Sequence, residues 1–324
     1  MLMVGTFLHV FGLMMASLAS KYYQFLLAQG LCSPIGASLL FYAAVSSVST
    51  WFHNRRALAL GIVAAGSSIG GVIFPIMIYR LLPMVGFAWS MRIAAFTILF
   101  MSLIATFTVT SRLVPVKRPW TIKEYSEPLR EPAFLMLTAG SFMYFLGMFL
   151  PLTFIIPHAR QVVHMSEYLA SYILAILNAA SLFGRIFPGW VGDKIGRFNV
   201  TVVMSTFTGI IVLALWVPAR GNAAEIVFAA LYGFASGTFV SMVPALVAQI
   251  SPDIRKIGVR SGTMFAILSF ALLIGNPIGG ALVSKLHGNF TGLQVFGGAV
   301  QMVGAVGMLA CRVYLGGWKL GVKV

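Results

Sequence analysis

Apolar runs long enough to cross a lipid bilayer follow one another through this 324-residue chain, with only short punctuated loops between them. A hydrocarbon core takes about 20 apolar residues per helical crossing, and every backbone polar group inside it must be satisfied within the segment. Such a chain folds as a bundle of membrane-spanning helices. Its charge content of 9% and mean hydropathy of +0.94 exclude an ordinary soluble domain, which carries about 25% charged residues. Breaking the runs at Gly, Pro and charge clusters predicts ten helices, over residues 2–20, 22–50, 57–82, 87–111, 133–156, 168–191, 198–217, 224–250, 261–284 and 293–314.

The net charge of +15 would suggest nucleic acid as the partner of a soluble protein. In a membrane protein it is read by side. Loops after the even-numbered helices hold Arg55 and Arg56; Arg112, Lys117, Arg118, Lys123 and Arg130; Lys194 and Arg197; Arg255, Lys256 and Arg260; and Arg312, Lys319 and Lys323. The opposite face holds only Lys21, Arg80, Arg160, Arg220 and Lys285, and Arg92 and Arg185 fall inside predicted helices. Both termini are therefore expected in the cytoplasm, with the lipid bilayer as partner and no nucleic acid; oligomeric state is not readable. Cys32 and Cys311 sit in separate apolar runs, without metal-ligand spacing or a disulfide framework. The first residues, MLMVGTFLHVFGLMM, lack a charged leader and a small-residue cleavage site, so a span and no signal peptide is expected there.

Residues 112–132 form the one long polar loop and contain Glu124, Glu127 and Glu131. It reads as a cytoplasmic linker between an N-terminal bundle (1–111) and a C-terminal bundle (133–314), with a cytoplasmic tail at 315–324. Four helices precede it and six follow. Helix three carries Gly66-Ser-Ser-Ile-Gly70-Gly71 and helix nine Gly275-Asn-Pro-Ile-Gly279-Gly280, with a weaker match of Gly30 and Gly36 in helix two to Gly233 and Gly237 in helix eight. An offset of six helices suits a duplicated transporter architecture whose first two helices are absent. Small residues also recur wherever helices pack closely in membranes, so chance recurrence is the alternative.

The strongest motif follows helix six: Gly189-Trp-Val-Gly-Asp193-Lys194-Ile-Gly196-Arg197, fitting G-x-x-x-D-[RK]-x-G-[RK]. Gly189 permits close backbone approach and Gly196 a tight reversal, while Asp193 can face a helix N-terminus or an arginine as a breakable latch. The alternative is a topology-setting basic loop with one incidental acid. This loop resembles the signature loop of the major facilitator superfamily, found there after the second and eighth helices. A second stretch, Trp51-Phe-His-Asn54-Arg55-Arg56-Ala-Leu-Ala-Leu-Gly61 running into Gly66-Ser67, is similar to the monocarboxylate transporter signature, with Asn54 in place of the usual basic residue. The runs 177–185, 197–200 and 253–262 resemble the fungal monocarboxylate transporter-like group. The resemblance implies an all-α major facilitator fold of about ten transmembrane helices, four plus six, with an incomplete N-terminal bundle. It also implies a plasma-membrane location.

Arg185 is the leading substrate candidate. With Ser171, Asn178 and Ser181 it forms a polar stripe on one face of helix six. A cation at membrane depth is costly unless it is hydrated or paired, and the matching arginine of the monocarboxylate transporters is implicated in carboxylate binding. A guanidinium can grip a carboxylate through two parallel bonds; the alternative is snorkelling to the headgroups. Weaker cavity candidates are Tyr42, on a stripe with Ser38, Ser46 and Ser49, and Asn276 before Pro277. No acid lies inside a predicted span except at helix ends, and Ser181 stands where related transporters place an aspartate, so no cofactor is expected and nothing visible supports the proton coupling that the resemblance allows. His9 reads as a hydrogen-bonded packing residue and Arg92, near Phe87 and Trp89, as an interfacial anchor. No hydrolase, metal-site or nucleotide-binding motif is present in the sequence, so an enzyme is not expected. The function implied is secondary active or facilitative transport of a small, monocarboxylate-like organic anion; the alternative is a non-transporting sensor or an inactive transporter remnant.

Overall fold

The computed structural model describes residues 1–112, 122–318 and 323, and among the described residues it is helical without any strand. The helices are α1 (Leu2–Leu18), α2 (Tyr22–Trp51), a stretch Arg56–Thr108, α5 (Pro132–Gln161), α6 (Glu167–Ile195), α7 (Arg197–Trp216), α8 (Asn222–Gln249), α9 (Ile254–Lys285) and α10 (Thr291–Gly316). Eight of these stretches are long and apolar enough to cross a membrane, and α1 is a shorter apolar helix. Arg56–Thr108, at 53 residues, would measure about 80 Å as one rod, more than twice the thickness of a hydrocarbon core. Its only non-helical residue is Gly86, at φ 74° and ψ 175°, a conformation that suits glycine because it has no Cβ. We number the two arms α3 (56–85) and α4 (87–108), which gives the ten expected helices.

Two contacts show that the chain reverses at Gly86. The Phe87 ring packs edge-on against Phe25, near the start of α2, with centroids 5.8 Å apart. Beyond α4, the Thr110 carbonyl accepts a hydrogen bond from Trp51 Nε1, at the other end of α2, at 2.9 Å.

The chain divides into two compact units, one of residues 1–53 and 73–116 and the other of residues 54–72 and 117–324. In the first, α1 lies along α2. A Cβ at Gly12 would sit 2.7 Å from the Ser33 amide nitrogen, so glycine is what allows the backbones to approach. His9 Nδ1 lies 2.8 Å from Ser33 Oγ and 3.0 Å from the Ser33 carbonyl, the hydrogen-bonded packing role expected of it. Pro34 cannot donate to the preceding turn, and α2 widens into a π-helical segment over Leu26–Cys32 just before it. Arg92 stacks over Trp89 at 5.1 Å and donates to Ser17 Oγ at 3.2 Å.

In the second unit α8 is the most deeply enclosed helix, buried almost continuously from Gly237 to Ala248. One core cluster gathers Phe134, Tyr144, Phe145, Phe239 and Met264, and a second gathers Ile155, Ile173, Trp216, Phe228 and Tyr232. Packing of α6 on α8 depends on Gly184 and Gly233: a Cβ on either would overlap a backbone carbonyl of the other helix, Phe234 for the first and Leu177 for the second.

Several helices run further than their sequence suggests. Helix α5 continues through Pro157 to Gln161, and α9 begins at Ile254, because Arg260 is buried within it by two bonds to Glu131, at 2.7 and 2.5 Å. Of the stretch 112–132, residues 113–121, with Lys117 and Arg118, lie outside the described residues. Its later part forms the helical turn Ile122–Ser126 and the 3-10 turn Glu127–Arg130. These turns are fastened to α9 by Lys256 on Glu127 at 3.0 Å and Thr263 Oγ1 on the Tyr125 carbonyl at 3.2 Å.

Candidate functional site

Asp193 does not stand in a loop, as its motif suggests, but in the last turn of α6. Gly196 alone, at φ 108°, separates α6 from α7. This reversal aims the Asp193 carboxylate at the first turn of α3, whose leading amides have no partner within their own helix. Asp193 Oδ1 accepts from the Ala57 amide at 3.2 Å and Oδ2 from the Leu58 amide at 3.0 Å. Arg197 completes the site, its Nε and Nη2 reaching Oδ1 at 3.0 and 2.8 Å. A negative group on a helix N-terminus satisfies orphan donors and opposes the helix dipole at once. Lys194 lies 3.5 Å over the Trp190 ring and takes no part in the latch. Arg55 is exposed, while Arg56 is buried and reaches the Ala248 carbonyl at 3.5 Å.

From this latch α3 and α6 run antiparallel with glycines at the crossings. A Cβ on Gly189 would lie 2.9 Å from the Ala57 carbonyl, and one on Gly61 would overlap the Arg185 carbonyl. One on Gly71 would lie 2.5 Å from Asn178 Oδ1, whereas Gly66 has no neighbour within 4 Å. Arg185 occupies the middle of this seam. Its Nε donates to Ser181 Oγ at 3.2 Å and its Nη1 to the Ala64 carbonyl at 2.6 Å and to Ser67 Oγ. Nη2 makes no hydrogen bond among the described residues.

The seam thus brings together Arg185, Ser181, Asn178, Gly61, Gly189 and Asp193. Asn178 donates to the Leu174 carbonyl, one turn back on its own helix. Asn276 belongs to the same unit but pairs with Thr153 of α5 at 3.2 Å, and Tyr42 lies on α2 in the other unit. Sequence reasoning missed the partners of the key side chains, which are the Ala57 and Leu58 amides, the Ala64 carbonyl and Ser67. Backbone groups leave no trace in composition; only the near-constant sum of paired residue numbers along an antiparallel seam could have pointed to them.

Glu225 lies at a helix end, as expected, in the first turn of α8, but it is fully buried there, against a His158 that the short prediction for α5 left outside. At the opposite end of the unit, the Arg260 hydrogen bond holds the Glu131 carboxyl below the ordinary carboxylate range.

The sequence pattern described as Major Facilitator Superfamily matches residues 1–224. MFS-type transporter 1 of Ophiocordyceps sp. (strain BCC 1869) is 53% identical over 323 residues, covering 100% of this chain and 72% of the relative. The Fujikurins efflux protein of Gibberella fujikuroi (strain CBS 195.34) is 46% identical over 308 residues, covering 95% of this chain and 66% of the relative. The crystal structure of the E. coli fucose:proton symporter superposes with a TM-score of 0.76 at 15% identity, over 96% of this chain and 83% of that one, a likeness of fold. An all-helical membrane architecture, a glycine-lined seam closed by an acid on a helix N-terminus, and relatives of this similarity lead to one assignment: the chain is an integral multi-pass membrane protein that belongs to the major facilitator superfamily of transporters.

Proposed function

We propose that this chain carries a small organic anion, monocarboxylate-like in its charged group, across the membrane by alternating access, with the anion held at Arg185. The observation that carries this reading is the state of the guanidinium. Three bonds to Ser181, Ala64 and Ser67 fix its plane, yet Nη2 has no protein acceptor among the described residues. A half-buried arginine fixed on one edge and open on the other is prepared for a charge-assisted bond to an anion. Snorkelling would send the guanidinium toward the headgroups; here it bonds across to α3. The name of the Gibberella fujikuroi relative, an efflux protein, supports export as the direction, and relatives named transporters favour transport over a sensor.

Asp193 is the latch of the cycle in this reading. Its bonds to Ala57 and Leu58 must break when α3 and α6 part, at about 1.5–3 kcal/mol each for bonds to a charged group. The excess of Lys and Arg in the loops after the even-numbered helices supports a cytoplasmic position for the latch and both termini, and the family resemblance supports the plasma membrane as the location.

The test is flux into proteoliposomes holding the purified chain, with labelled lactate and larger monocarboxylates compared with their uncharged amides. Saturable uptake of an acid without uptake of its amide is expected. R185Q should lower that uptake at least about tenfold, the equivalent of about 1.4 kcal/mol of lost binding. Equal flux of acid and amide, or unaltered flux in R185Q, would overturn the assignment.

A further inference from the structure

At the end of the C-terminal bundle opposite Asp193, four helices meet around a polar cluster that the transport site does not use. Glu225 of α8 is 0% exposed and His158 of α5 is 1% exposed. Glu225 Oε1 lies 3.0 Å from His158 Nδ1 and 3.3 Å from Trp216 Nε1 of α7. Gln294 of α10 places its amide nitrogen 3.2 Å from His158 Nε2 and 3.1 Å from the Trp216 carbonyl. Glu225 Oε2 is buried and has no hydrogen-bond partner among the described residues.

These contacts fix the protons. The Trp216 carbonyl can only accept, so the Gln294 group facing it is its NH2. That NH2 also meets His158 Nε2, which must then be the unprotonated nitrogen. His158 is therefore neutral and donates Nδ1–H to Glu225. No cation remains inside the cluster to balance a carboxylate. Glu225 is met by His158 from α5 and by the indole of Trp216 from α7; the Gln294 amide of α10 closes the far side of His158, and Phe228 of α8 stacks on Trp216. Of the charged groups in the flanking segments, Arg220 bonds the carbonyls of Val217 and Ala219, and Arg160 pairs with Glu167. An ionised carboxylate here would leave a buried charge with one bare oxygen, which costs more than a buried hydroxyl lacking an acceptor. The first turn of α8 softens that cost through its free amides without supplying a donor to Oε2.

We propose that the Glu225 carboxyl is a proton-binding site. The cluster is closed when Oε2 carries the proton, and release of the proton draws water in and loosens the junction of α5, α7, α8 and α10. The ligand is a proton exchanged with the compartment at that end of the bundle, and the proposal stands whether or not Arg185 binds an anion.

Trp216 is a built-in reporter, since its indole touches the titrating group. Tryptophan fluorescence of the full chain in nanodiscs, followed as pH is varied, should show a reversible step that is absent from both E225Q and W216F. H158Q, which keeps the carboxyl, should retain a step at a displaced midpoint. A flat profile in the unmodified protein, or a step that persists in E225Q, would overturn the proposal. Should E225Q fail to fold, the infrared spectrum of the unmodified chain decides. A protonated-acid carbonyl band that outlasts ionisation of the exposed carboxyls supports the site, and the absence of that band refutes it.

Discussion

Asp193 shows how a single acid among basic neighbours becomes the most heavily bonded side chain of its region. Its two oxygens accept from two backbone amides and from two nitrogens of Arg197. D193N keeps the shape but gives up the charge and turns one acceptor into a donor facing an amide. Bonds to charged groups contribute about 1.5–3 kcal/mol each, so D193N should lower the thermal unfolding midpoint in detergent clearly, while K194Q, which loses only the contact with Trp190, lowers it much less. Glu131 makes a pH-dependent counterpart. Its folded carboxyl is held below its ordinary range by Arg260, so the stabilisation is complete above the unfolded carboxyl's range and is lost as pH falls through the lowered folded value. The gap in melting midpoint between the native chain and E131Q should therefore be wide at neutral pH and close in acid; a constant gap would show that the pair contributes packing alone. The motif made Asp193 legible in the sequence, because glycine and charge spacing mark a reversal. Glu225 was illegible for a definite reason. Pro157 reads as the end of a helix, yet near a C-terminus a helix can continue past proline, and this one carries His158 into the core.

At the scale of elements, the α3–α6 seam separates glycines that are required from glycines that are only permitted. Gly61 faces the Arg185 carbonyl, and a methyl there overlaps it; Gly66, one and a half turns on, faces nothing within 4 Å. G61A should therefore destabilise the protein by about 1–3 kcal/mol through overpacking. G66A should be neutral or stabilising by up to about 1 kcal/mol, since alanine favours helix over glycine. Equal melting midpoints for the two variants would show that the seam yields easily. The ten helices were readable from hydropathy because bilayer thickness dictates the length of an apolar run. Their ends were less so. Charged Arg255, Lys256 and Arg260 look like loop residues, and only the contact with Glu131 explains why Arg260 lies buried inside α9. The Gly66 match to Gly275 was visible too, but the two glycines differ in surroundings: Gly275 packs against the Leu146 carbonyl, where a Cβ would sit at 2.5 Å.

At the scale of the whole molecule, sidedness rests on the distribution of Lys and Arg, which predicts that Arg220 faces outward and Lys123 faces the cytoplasm. With Cys32 and Cys311 replaced by serine and alanine, R220C should react with a membrane-impermeant maleimide on intact cells, and K123C only after permeabilisation. The reverse pattern would invert the topology and move the Asp193 latch to the outer face. The single-residue joint at Gly196 carries a mechanical consequence for such a bundle. Helices α6 and α7 share a corner too short to absorb bending, so they turn together as one bracket. Helix α6 has 29 residues, and at 1.5 Å per residue it is a lever of about 44 Å. Pivoting that lever by about 10° at the Gly196 corner sweeps its far tip through about 8 Å, the breadth of a small solute, while the corner itself hardly moves.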